Sequence, residues 1–151
     1  MTMHQLLLTL ALILRTSLLP ADYQKFVLDD KYNNVQPKGA TTKPLVYKVK
    51  AGSKGFILDC SHYNFTEIRK MNNNVDPDAI HIVCKAGTFD VHLNITGQTV
   101  IDASTMHSLK DEEVFKAFQK GDHIILGIGT TIVAGGTAKM NTYWVTLMDV
   151  D

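Results

Sequence analysis

No charge of either sign dominates this chain: fifteen lysines and arginines balance fifteen aspartates and glutamates, for a formal net charge of zero. A balanced surface lays down no electrostatic footprint for nucleic acid or for an anionic membrane. The six histidines would add positive charge only below about pH 6.5. Cysteine is scarce. Cys60 and Cys84 are the only two, and a lone pair does not fix the redox compartment. Both lie in runs that read as strands, where they serve either as small buried hydrophobes or as a bridge between neighbouring strands. The apolar stretch LLLTLALIL at residues 6–14 falls short of a bilayer span, which needs about 20 residues. No internal repeat of useful length is present.

What is there suffices for one domain with a core: 151 residues, of which 45% are hydrophobic and 20% charged. Residues 1–28 read as an apolar helix or arm, with leucine, isoleucine and alanine on nearly every side over 4–19 and Pro20 as its stop. A helix apolar all round needs cover from a partner, so Leu7, Leu10 and Leu14 are candidate contact residues. The competing reading is an export signal cleaved near Ala21, although no basic residue precedes the apolar stretch. Residues 29–44 form a polar linker broken by Pro37, Gly39 and Pro44.

From residue 45 to 151 the period becomes two. Runs LVYKVK, GFILDC, AIHIVCK, FDVHLNI, TVIDA, HIILGIG and TYWVTLMDV read as strands. In FDVHLNI, Phe89, Val91, Leu93 and Ile95 alternate with Asp90, His92 and Asn94, the mark of a half-buried antiparallel strand. Residues 109–119 read as a helix with acids early and lysine late. Residues 61–78 and 127–141 read as a loop and a turn, and the expected fold is an all-β antiparallel β-sandwich, jelly-roll or Ig-like. Loops on such a scaffold carry recognition, which singles out Tyr63, Phe65 and Tyr143 as contact aromatics, while Trp144 reads as core.

Catalytic chemistry finds no footing. Asp59-Cys60-Ser61-His62 holds the right residue types, but neighbours on a strand point apart and nothing nearby lowers the thiol pKa. His81 and Cys84 sit on opposite strand faces and His92 on a polar one, so they assemble no metal site. Gly127, Gly129, Gly135 and Gly136 lack the Gly-Lys-Ser/Thr of a phosphate loop. The acidic pairs lie in turns, a first helical turn and the last residues, where solvation accounts for them. We therefore expect no enzyme, no metal and no cofactor. The sequons Asn64-Phe65-Thr66 and Asn94-Ile95-Thr96 matter only in a eukaryotic secretory pathway.

The segment from Tyr47 to Leu58, with its Ala51-Gly52 turn, followed by His62-Tyr63-Asn64-Phe65-Thr66, resembles bacteriophage virion proteins. Phe115 to Ile128, with Gly121-Asp122 before a late hydrophobic strand, resembles them too. Where that family commonly has Val-Pro before the Ala-Gly turn, this chain has Val49-Lys50. The resemblance covers roughly residues 45–150 and implies a virion structural protein of the capsid decoration, neck, tail or fibre type. It would act through contacts with its own copies and with other virion proteins, located in the virion. The alternative is a secreted β-sandwich binding or adhesion module.

Overall fold

The computed structural model describes residues 22–28, 45–107, 109–134 and 137–151. The linker at 29–44 and the leader with Leu7, Leu10 and Leu14 lie outside the described residues. Within them the chain is mostly β, with eight strands: β1 (Gln24–Val27), β2 (Leu45–Val49), β3 (Gly55–Asp59), β4 (Ala79–Cys84), β5 (Gly87–His92), β6 (Gln98–Asp102), β7 (His123–Ala134) and β8 (Thr137–Val150). Two short helices, α1 (Thr66–Met71) and α2 (Asp111–Ala117), complete the order.

The strands form a three-stranded sheet ordered β1-β3-β6 and a five-stranded sheet ordered β2-β8-β7-β4-β5. The pairing is mixed, not antiparallel throughout. β1 runs parallel to β3, and β2 runs parallel to β8. Alternation reports which face is buried but says nothing about the direction of a neighbour. One hydrophobic cluster draws on both sheets, with Phe26, Phe56, Leu58 and Ile101 from the first and Val49, Ile80, Ile82, Leu126 and Met148 from the second. Phe56 lies at its centre, 5.8 Å from Phe26 and 6.0 Å from Phe118 between ring centroids.

β1 corrects the expected boundary of the arm at residue 28. Gln24–Val27 belongs to the body, and Phe26 and Leu28 are core residues. Its Gln24 side chain also ties the two sheets along one side. The amide donates to the Lys48 carbonyl at 3.4 Å and accepts the Lys50 N–H at 2.7 Å. At the start of β3, Gly55 allows a close crossing, since a Cβ there would lie 2.5 Å from the Ile101 carbonyl oxygen.

α2 forms where the acidic first turn suggested: Asp111, Glu112 and Glu113 open it, Lys116 closes it, and Glu113 accepts the Lys110 N–H at 3.2 Å. The segment 61–78 is not a plain loop, because α1 occupies its middle. That helix ends where Asn73 and Asn74 adopt left-handed backbone angles, φ 53° and 62°, which asparagine tolerates. The expected turn at 127–141 is mostly strand, since β7 continues to Ala134 and β8 begins at Thr137.

Candidate functional site

Chemistry at single residues is quickly settled. Cys60 is buried, and burial, with the Asp59 carboxylate second, pushes its thiol up to about 12. Such a thiol is almost entirely protonated at neutral pH and is no nucleophile. Asp59 is committed to the next turn, accepting the Ser61 hydroxyl at 2.6 Å and the Ser61 N–H at 3.0 Å. Those bonds hold its carboxyl below the ordinary value. Both cysteines are free thiols in the core, and burial raises Cys84 as well.

His81 and Cys84 do face opposite sides. Cys84 joins the core, whereas His81 Nδ1 lies 2.7 Å from Asp90 Oδ1 on the other surface. Among the described residues no group of three His, Cys, Asp or Glu is placed to hold a metal ion, and no helix is long and apolar enough to cross a membrane.

Two contact aromatics suggested by the sequence are core residues. Tyr63 is 7% exposed and Phe65 3%; their rings pack edge to face at 4.7 Å. Both drop inward from the α1 segment, so they stabilise that segment instead of presenting it. Tyr143 lies within β8, and its side chain, like that of Trp144, is outside the described residues.

The surface that stands out is the outer face of the five-stranded sheet. Directly paired residues share a face, so the register defines its rows. Val46 pairs with Leu147, Leu147 with Ile125, Ile125 with Val83, and Val83 with Thr88. Ile125 is 40% exposed while its neighbours Ile124 and Leu126 are fully buried, which fixes this row as outward. Val46 is 42% exposed at the β2 end of the row. An apolar stripe therefore crosses four strands and ends on the Thr88 hydroxyl of the fifth.

Charged pairs border the stripe on both sides. One border is Lys48, Asp149 and His123, again aligned by register. Asp149 takes His123 Nδ1 at 2.6 Å and Lys48 Nζ at 3.5 Å. The histidine contact, followed by the lysine charge, holds its carboxyl below the ordinary value. The other border is Val145, Gly127, His81 and Asp90, with Val145 44% exposed. Gly127 keeps the middle of that border flat: a Cβ there would meet Thr142 Cγ2 at 2.5 Å.

The sequence carried a signal for this face. In HIILGIG the apolar residues occupy both parities, so one set must look outward. Reading the run as an ordinary strand missed it, because its partners Val46, Val83 and Leu147 are scattered along the chain. Compared with known protein families, curated proteins and solved structures, the chain matches none.

Proposed function

We propose that the protein is a structural subunit of a virus particle, a β-sandwich of the phage decoration, neck or tail type that works through contacts between its own copies. The observation that carries this reading is the register-aligned stripe Val46–Leu147–Ile125–Val83 on the outer sheet face. Soluble domains seldom leave an ordered apolar stripe open, and such stripes mark interaction surfaces. A two-fold axis along the stripe would lay it on its counterpart in a second copy. The same patch then serves both copies, an isologous contact. Contacts of this kind, repeated with other virion proteins, fit a part that is built into a particle and turns nothing over.

The test is self-association measured by sedimentation over a hundredfold range of concentration. The wild-type chain is expected to associate, and Ile125→Lys to weaken association by about tenfold or more while moving stability by no more than about 0.5 kcal/mol. A wild-type monomer at every concentration, or an Ile125→Lys protein that associates like the parent, overturns the proposal.

A secreted binding module is the second reading, and the exposure of both sequon asparagines, Asn64 and Asn94, favours it. Glycan attached at either position in protein from its natural source would select that reading over the first.

A further inference from the structure

A second surface, separate from the apolar stripe, lies between the two sheets on the side away from Gln24. There β5 and β6 are edge strands of different sheets, and the chain passes from one to the other through residues 93–97. A cleft of about 340 Å³ opens between them, lined by Val91, His92, Gln98, Val100, Thr105 and His107 among others. Among the described residues no further strand pairs with either wall.

The hydrogen-bond parity shows which backbone groups face it. The Leu93 N–H donates to the Asp78 carbonyl at 2.9 Å, so the odd-numbered residues of β5 bond β4 while Thr88, Asp90 and His92 turn their N–H and C=O away from it. Across the cleft, the Cys60 N–H donates to the Gly97 carbonyl at 2.9 Å, which leaves Gln98 and Val100 as the outward residues of β6. At the far end Asp102 closes its own turn, accepting from the Ser104 hydroxyl at 2.7 Å, the Ser104 N–H at 3.0 Å and the Tyr23 hydroxyl at 3.1 Å.

Side chains add hydrogen-bonding groups to the cleft. The imidazoles of His92 and His107 and the amide of Gln98 make no hydrogen bond among the described residues. The carboxylates nearby are spent: Asp90 on His81, and Asp102 on its turn and Tyr23. The cleft thus offers backbone N–H and C=O groups together with side-chain N–H donors, and its lining residues include no carboxylate.

We infer that this cleft takes an extended acidic peptide segment of another protein, which adds to β5 as a sixth strand and points its carboxylates at His92 and His107. Strand addition supplies affinity through main-chain hydrogen bonds and specificity through alternate side chains. The inference does not rest on the self-association proposed above, because it uses an edge and not the outer face.

The probe is a fluorescein-labelled heptapeptide alternating glutamate and valine, followed by anisotropy on the wild-type chain, with amide exchange as the second readout. Saturable binding is expected, with slower exchange at Thr88, Asp90 and His92. Replacing glutamate by lysine, or N-methylating alternate peptide nitrogens, is expected to weaken binding about tenfold each. The His92→Ala/His107→Ala double variant is expected to lose about the same for the glutamate peptide. Its effect on a glutamine version should be smaller. Thr88→Pro, which removes an outward N–H that β4 does not use, provides a backbone variant whose fold is checked by its melting curve. The inference is overturned by anisotropy that stays flat to millimolar protein, by binding indifferent to peptide charge and to these variants, or by protection confined to Val46, Ile125 and Val145.

Discussion

Thr146 is almost fully buried on the core side of β8, and its hydroxyl has no hydrogen-bond partner among the described residues. A buried hydroxyl without a partner costs free energy that an isosteric methyl does not. Thr146→Val is therefore expected to raise stability by about 1 kcal/mol, read from denaturant midpoints at unchanged slope; a loss of stability would show that the hydroxyl is engaged. Three carboxyls set the acid limit. Asp59 is held below 3.8 by Ser61 and Asp149 by His123. For Asp102 burial pushes upward, but hydrogen bonds from Ser104, Thr105 and Tyr23 outweigh it and leave the carboxyl low. Each folded value lies under the unfolded one, so the unfolded chain binds protons first as pH falls. Their stabilisation is complete above the unfolded value and fades as pH drops through the folded ones. Denaturation midpoints should stay level in this respect from pH 6 to 5 and fall below about pH 4. An Asp59→Asn variant should show a shallower fall.

At the scale of elements, much was legible. The strands at 45–49, 55–59, 79–84 and 98–102 and the helix at 111–117 follow from alternation and from end charges. In the Phe89–Ile95 run the outward residues Asp90, His92 and Asn94 are exposed, and Val91 and Leu93 are core, although β5 itself stops at His92. β1 was not legible. Gln24–Val27 has one inward side chain, Phe26, and a four-residue strand that follows an apolar leader gives no period to count. α1 was hidden for a similar reason: six residues with no capping side chain look like loop, and its hydrophobic anchors Tyr63 and Phe65 precede it. These corrections change what a truncation should do. Deleting residues 1–21 leaves β1 intact. Deleting residues 1–28 removes Phe26 and Leu28 from the core and exposes the β3 edge. That deletion should cost several kcal/mol, on the order of 3–5 for the phenylalanine alone. Equal melting temperatures for the two truncations would contradict the role given to β1.

The molecule as a whole has two sides along its sheet edges, and they differ in kind. On one, Gln24 joins β1 to the β2 backbone; on the other, β5 and β6 part around a polar cleft. Both proposed surfaces belong to the five-stranded sheet, one on its face and one at its edge. Neither was legible beforehand, because each is built by register between segments far apart in sequence, whereas the buried faces needed only local alternation. Gly127 and Gly129 show the limit well: residues 127–141 read as a turn, and both glycines instead lie within β7, whose register shifts between Ile128 and Gly129.

The parallel pairing of β2 with β8 joins Leu45 to Thr146 and Val49 to Val150. A nascent chain cannot complete its larger sheet until residues 146–150 have left the ribosome. Until then Val46 and Ile125 face water beside an uncapped β8 position, the kind of transient edge that invites aggregation. Closing so long a loop also delays assembly of the core, since its entropy is lost before the contacts form. Newly made chains would thus pass through a sticky, half-built stage, and crowding many of them together early would favour aggregation over folding.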